Sequence, residues 1–171
     1  ISHLLIRLQA NHLYLLMHQP ELNIRILEIG AGTGGTTAGL LPMLKTYGGS
    51  IVEYCYTDLS KAFLMHAEKN YQPDFPALTT AIFDAGRPLA GQDVDPNSFD
   101  IVIATNVLHA TPNIRETLRN GKAAMKHNGI LLLNEICDWS LFCHLTFGLL
   151  EGWWLYEDAP LRLEGSPGLT P

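Results

Sequence analysis

The apolar positions of this chain gather into short runs, set apart by polar segments that carry glycine and proline. Residues 24–29, 51–57, 78–83, 99–105 and 130–134 are the clearest of these runs. None keeps the strict alternation of a strand with one wet face, so each reads as a strand covered on both sides. Between them the spacing becomes helical. Phe63, Leu64 and Ala67 fall on one face of a helix that opens at Ser60 and reaches Asn70. Ile114, Leu118, Gly121 and Met125 do the same after Thr111-Pro112, read as an N-cap and a first-turn proline, and Asn128-Gly129 closes that helix. A helix from about Gly34 to Tyr47 is expected to kink or break at Pro42. Residues 1–20 read as an N-terminal helix stopped by Pro20, and 157–171 as a loop-like tail. Strand and helix alternate four times before a fifth strand, which predicts an α/β fold: a doubly wound parallel sheet with helices on both faces.

Composition narrows the function classes. The 171 residues, 47% apolar and 16% charged, suit one domain with a sizeable core. A net charge of −6, with only 11 Lys and Arg and no basic block, disfavours a nucleic-acid partner. Cys55, Cys137 and Cys143 have neither zinc-site nor disulfide spacing, so no metal is expected and a reducing cytoplasm fits. The aromatic segment from Trp139 to Tyr156 is interrupted by His144 and Glu151, which argues against a membrane span. The first residue is Ile1 and no leader pattern follows it. The chain therefore reads as a single core cut from a larger multidomain protein.

Candidate chemistry sits where strands end, since ligands of open parallel sheets gather beyond the carboxyl ends. The first run stops at Glu28-Ile29-Gly30-Ala31-Gly32-Thr33-Gly34-Gly35. Glycines at 30, 32 and 34 allow a tight turn with no side chain between backbone and ligand, and the helix that follows offers unpaired N–H groups. Gly30, Gly32 and Gly35 also satisfy the dinucleotide fingerprint. Glu28 distinguishes the two, because a carboxylate beside the loop repels a pyrophosphate and suits a ligand bearing an ammonium group. The stretch resembles motif I of class I S-adenosylmethionine (SAM)-dependent methyltransferases. Asp58 is placed to accept hydrogen bonds from a ribose diol, and Asp84 from an adenine amine. Leu59 and Ala85 supply apolar walls, and Asn106 closes the cofactor side. A nicotinamide enzyme would explain Asp58 equally well, but neither Glu28 nor Asp84.

The stretches Ile101–Thr111, Leu131–Ile136 and Phe147–Trp154 carry a more specific resemblance, to the C-methyltransferase domains of polyketide synthases. That resemblance implies a Rossmann-like sheet whose sixth and seventh strands are not seen after Trp154, so the core is expected to be truncated there. It implies a His–Glu pair, here His109 and Glu135. It also implies a β-ketoacyl chain on the phosphopantetheine arm of an acyl carrier protein, with neighbouring synthase domains as partners. The residues agree: adjacent parallel strands lie about 5 Å apart, so His109 and Glu135 project from neighbouring ends. A carboxylate on one imidazole nitrogen fixes the tautomer and makes the other a general base. An amide at 135 is expected still to orient the ring without stabilising its protonated form, so that Glu135→Gln loses less than His109→Ala. A small-molecule O- or N-methyltransferase would keep the cofactor residues without needing that pair, and a nicotinamide-dependent oxidoreductase is the alternative from another class. The aromatic run either walls an acyl pocket or packs as an amphipathic helix, with Trp153-Trp154 as a structural pair.

Overall fold

A computed structural model of the protein describes residues 23–47 and 49–170; the expected N-terminal helix lies outside them. Five strands are present among the described residues: β1 Ile24–Ile29, β2 Ile51–Asp58, β3 Leu78–Ile82, β4 Phe99–Thr105 and β5 Met125–Asn134. They form one sheet in the order β3-β2-β1-β4-β5, with every neighbouring pair parallel. The order reverses between β1 and β4, and a doubly wound sheet opens its ligand crevice at such a reversal. This is the Rossmann-like arrangement expected from the alternation of elements.

The helices are α1 Gly35–Leu44, α2 Lys61–Asn70, α3 Ile114–Ala124 and α4 Leu141–Thr146. Leu40, Leu41 and Leu44 of α1 and Leu64 and Ala67 of α2 pack with Ile26, Tyr54, Ile101 and Ile103 on one face of the sheet. Ile114 and Ala124 of α3 pack with Leu27, Ile29, Val102 and Ala104 on the other. Strands β1 and β4 are thereby covered on both sides, which is why their sequences are continuously apolar. Strand β5, at the edge, is only half-buried and leaves Leu133 exposed.

Local boundaries depart from expectation in four places. Helix α1 carries Pro42 without a break there; it runs two residues further and tightens into a 3-10 turn, Lys45–Tyr47. Ser60 holds the N-cap position of α2 without a side-chain cap, and its N–H is taken by Asp58 Oδ1 at 2.8 Å. The N-cap of α3 is Asn113 rather than Thr111, with Oδ1 accepting from the N–H groups of Arg115 and Glu116. Thr111 is committed elsewhere, since its hydroxyl donates to the Leu108 carbonyl at 2.7 Å. Finally, β5 starts at Met125. Asn128, at φ 66°, turns within a bulge that shifts the register from Phe99↔Met125 to Ile101↔Ile130, so Asn128-Gly129 kinks a strand and does not close a helix.

Gly30 shows how tightly the crevice is built. It has φ 59°, and a Cβ there would lie 2.1 Å from Val107 Cγ2. Gly30→Ala should therefore cost at least about 1–3 kcal/mol for the backbone conformation alone, with the Val107 clash added. Urea unfolding checks this; a midpoint equal to wild type would show that the turn after β4 yields freely.

Candidate active site

The glycine turn after β1 is moored to the end of β2. Gly32 N–H donates to Asp58 Oδ2 at 2.9 Å, Ala31 N–H to the Thr57 carbonyl at 2.9 Å, and Tyr56 hydroxyl to the Gly32 carbonyl at 2.5 Å. Gly34 stands at the N-cap of α1 in the left-handed region, and no side chain caps that helix, so its first N–H groups stay open. Gly35 is different. A Cβ there meets nothing within 4 Å, whereas the third glycine of a dinucleotide fingerprint exists to let helix and strand pack closely. The fingerprint is matched in letters but not in packing.

A cavity of about 180 Å³ opens beside this turn, and Gly30, Asp58, Leu59, Phe83, Asp84, Ala85, Val107 and Leu108 are among its lining residues. Five of the expected cofactor residues meet here: Gly30, Asp58, Leu59, Asp84 and Ala85. The walls are largely apolar, the polar side chains are the carboxylates of Asp58 and Asp84 and the hydroxyl of Thr111, and among the described residues no lysine or arginine lines the cavity. That acceptor set suits a nucleoside with a free diol better than a pyrophosphate. Asp84 also accepts the Gly86 N–H at 2.9 Å and lies 3.4 Å from Arg87 Nε.

Glu28 is not on the surface of this cleft. It is 2% exposed, beneath the turn, with Thr37 and Tyr54 hydroxyls both donating to Oε2, the latter at 2.6 Å. Burial pushes its carboxyl up to about 7, although both hydroxyls favour the ionised form. Thr37 sits in the first turn of α1, so Glu28 ties β1, β2 and α1 together under the glycines. Its reach to a ligand runs through the remaining oxygen alone. Asn106 also departs from expectation. It faces a second, larger cavity with His109, not the cleft beside Gly30.

That second cavity, about 430 Å³, lies across the turn formed by residues 106–111. His109 Nδ1 is 2.7 Å from Glu135 Oε2, and the two side chains are 7% and 6% exposed. Because a carboxylate only accepts, Nδ1 carries the hydrogen and Nε2 is left as the basic nitrogen. Glu135 Oε1 meanwhile accepts the N–H groups of Val107 at 3.0 Å and Leu108 at 2.8 Å. One carboxylate thus holds both the imidazole and the backbone that bears it. An amide at 135 cannot do both. With its oxygen on the two backbone N–H groups, its NH₂ faces Nδ1, which forces the proton to Nε2 and removes the base.

Trp153 is buried and lies edge-on to the His109 ring, with centroids 5.7 Å apart, and it lines the cavity with Cys143, Phe147 and Leu150. The aromatic run therefore walls this pocket through Trp153, while Trp154, half exposed, donates its Nε1–H to the Gly148 carbonyl at 2.9 Å. Helix α4 has no buried residue; Leu141, Phe142 and Leu145 all face outward. Two groups had no signal in the sequence. Arg162 and Asp158 sit in the segment read as a loop, yet Arg162 Nη1 donates to the His109 carbonyl at 3.0 Å and Nη2 to the Thr111 carbonyl at 2.9 Å. Their i, i+4 spacing of opposite charges was the one available hint.

Comparison with known proteins places this geometry. Residues 27–131 match the family model described as methyltransferase domain. Polyketide synthase PksM of Bacillus subtilis (strain 168) is 62% identical over 156 residues, covering 91% of this chain and 4% of PksM. The structure of the DszA carbon methyltransferase superposes with a TM-score of 0.88 at 40% identity, over 96% of this chain and 43% of that one. The trans-methyltransferase CalH, solved in complex with SAH, gives 0.81 at 35% identity over 93% of this chain and 44% of CalH. The chain thus spans a small part of the synthase and under half of each of these two solved chains.

The Glu28 environment sets a pH dependence. A carboxyl raised from 4.5 to about 7 contributes stability in full below pH 4.5 and loses it as the pH climbs to about 7, because only the unfolded chain ionises freely in that window. The loss is about 3 kcal/mol. Glu28→Gln should match wild type in thermal unfolding at pH 4.5 and melt higher than wild type at pH 8. Equal melting at both values would show that Glu28 ionises in place without penalty.

Proposed function

Since the chain belongs to the methyltransferase-domain family, among the carbon-methyltransferase domains of polyketide synthases, we propose that it methylates the α-carbon of a β-ketoacyl thioester presented on an acyl carrier protein. The observation that carries this reading is the His109–Glu135 pair: a buried, oriented imidazole facing a cavity that one turn separates from a carboxylate-lined nucleoside cleft. O- and N-acceptors bring their own lone pair. A carbon acceptor must first lose a proton, and that requirement gives a built base its purpose.

SAM is the methyl donor we assign to the smaller cleft, where its sulfonium supplies an electrophilic methyl group. CalH carries the demethylated product of that donor. Asp58 would accept from the ribose hydroxyls and Asp84 from the adenine amine, between the walls of Leu59, Phe83 and Ala85. Gly30, Gly32 and Gly34 would let the backbone approach the amino-acid end. The open N–H groups of α1 suit its carboxylate, and the second oxygen of Glu28 suits its ammonium.

In the larger cavity, His109 Nε2 removes the proton from the carbon between ketone and thioester, and Glu135 stabilises the imidazolium that forms. The electron pair of that C–H bond would become the enolate, whose carbon would bond to methyl as the S–CH3 bond of the sulfonium breaks and its electron pair leaves on the sulfur of S-adenosylhomocysteine. Phe147, Leu150 and Trp153 would give the acyl chain an apolar wall, which slows reprotonation of the enolate by solvent. The acyl chain arrives on its carrier, which makes the neighbouring synthase domains the natural partners. No helix of the described residues is long and apolar enough to cross a membrane.

Single-turnover methylation of a carrier-bound β-ketoacyl thioester tests the mechanism. His109→Ala should slow transfer by about 10²- to 10⁴-fold with SAM affinity nearly intact. Glu135→Gln should fall almost as far, because the amide inverts the tautomer. Transfer at the wild-type rate in His109→Ala would move the O- or N-methyltransferase reading ahead. In the other cleft, Asp58→Ala should weaken SAM binding by about 1.5–3 kcal/mol in calorimetry; an unchanged affinity would remove Asp58 from the cofactor site.

A further inference from the structure

The segment after Trp154 is built against the turn that bears His109. Arg162 is 4% exposed, and its guanidinium is engaged on three of its nitrogens. Nε donates to Asp158 Oδ1 at 2.6 Å, Nη1 to the carbonyls of His109 and Pro167 at 3.0 Å each, and Nη2 to the Thr111 carbonyl at 2.9 Å. Asp158 completes the arrangement by accepting the Ile114 N–H at the start of α3 through Oδ2, at 2.7 Å. Burial works against the charged form of Asp158, but Arg162 and that N–H outweigh it and hold the carboxyl below its ordinary value. The segment is fastened at both sides of the pair. Glu157 N–H donates to the Pro112 carbonyl at 2.8 Å, and Leu169 N–H to the Ile136 carbonyl at 2.8 Å, one residue beyond Glu135.

The 3-10 turn Leu108–Ala110 is consequently gripped at both ends. Glu135 takes N–H groups at its start, and Arg162 gives N–H donors to carbonyls in and after it. A turn of three residues has too few internal hydrogen bonds to fix its own orientation. Rotating it by one peptide would swing the imidazole off Glu135. The guanidinium fork meets two carbonyls two residues apart, a geometry that the point charge of lysine does not reproduce. Its charge is neutralised locally by Asp158, so its effect on His109 is one of placement.

We propose that Arg162, held by Asp158, is a positioning residue for His109: it locks the backbone of the catalytic turn so that Nδ1–H stays on Glu135 and Nε2 stays aimed into the acyl cavity. This rests on the reading of His109 as the base. It adds that the segment from Asp158 to Leu169 is a strap on the active site.

The test uses the full chain with Arg162→Gln, Arg162→Lys and the milder Asp158→Asn, each checked for fold by circular dichroism. Expected are a fall in single-turnover methylation of about 10- to 100-fold, within the range a misplaced catalytic group costs, and SAM affinity within twofold of wild type. Arg162→Lys should recover little of the loss. Millimolar guanidinium added to Arg162→Gly should restore part of it, and ammonium should not. In the double variant with His109→Ala, the Arg162 loss should vanish, because there is no imidazole left to place. A second readout does not depend on methylation. In histidine-labelled protein, the Nδ1–H proton of His109 should resonate downfield in wild type and broaden or move upfield in Arg162→Gln and in Asp158→Asn. A folded Arg162→Gln with wild-type rate and an unmoved proton overturns the proposal, as does a loss that adds fully to that of His109→Ala. If wild type methylates no carrier-bound β-ketoacyl chain, the carbon-methylation reading fails, and the proton signal still decides whether Arg162 places the ring. If Arg162→Gln does not fold, Asp158→Asn carries both arms, and an unmoved proton with an unchanged rate there is equally fatal.

Discussion

One carboxylate sets the geometry of the larger cavity. Strands β4 and β5 are parallel and paired through Thr105↔Asn134, so the residues that follow each strand leave the sheet side by side. Glu135 leaves from one and the turn bearing His109 from the other. A carboxylate this deeply buried is tolerable only if its oxygens are filled. Here the nearest donors are the N–H groups that the turn has just freed and the imidazole on the same turn. Satisfying the charge and orienting the imidazole are therefore one requirement, and a neutral amide, which must present a donor as well as an acceptor, can hold the backbone N–H groups but not the Nδ1–H tautomer.

The same device recurs along the crevice. Asp58 ends β2 and takes the N–H groups of Gly32 and Ser60; Asp84 follows β3 and takes that of Gly86. Each strand-end acid thus fixes a loop, its own or the neighbouring strand's, before any ligand arrives. Every carboxylate oxygen retains a second acceptor direction, so holding the loop and receiving a hydroxyl or amine are compatible tasks. Because the acids are already anchored, little side-chain freedom is lost on binding, and preorganisation of this kind raises affinity without new contacts. The turn 106–111 divides the crevice: Val107 and Leu108 face the smaller cleft, while His109 and Ala110 face the larger cavity.

The strands were legible because burial on both faces demands continuous apolar runs. Residues 99–105 were read with the bounds they have. The acids were legible for the same reason, since a charged residue at the end of such a run stands out. What could not be read was decided by tertiary competition. Thr111 looks like a cap, but its hydroxyl is drawn to Leu108, and the cap passes to Asn113. Asn128-Gly129 looks like a helix stop because a left-handed asparagine suits both a C-cap and a bulge, and only the pairing of Phe99 with Met125 selects the bulge. Arg162 was invisible because its partners are backbone carbonyls, which every sequence supplies. Trp153 was read as packing because nothing in the sequence shows that His109 lies beside it.

Glu28 was legible as a residue and misplaced as a side chain, and the reason bears on how the cleft is held. A carboxyl pushed up to about 7 by burial lowers stability at neutral pH. An apolar or amide side chain of the same shape would fill the space between Thr37 and Tyr54 without that cost. A buried acid kept beneath the glycine turn at that cost has a rationale if a ligand's cationic end lies above it. Among ligands that would suit the cleft, a neutral or anionic one leaves the carboxyl uncompensated, while one whose cationic end lies over the glycine turn supplies the missing charge. The acid then contributes twice: in the free protein it couples β1, β2 and α1 beneath the turn, and with a cation above it becomes the buried half of an ion pair. On the proposed reading of the cleft, a preference for an aminoacyl nucleoside over a dinucleotide would reside under the glycines as much as in them.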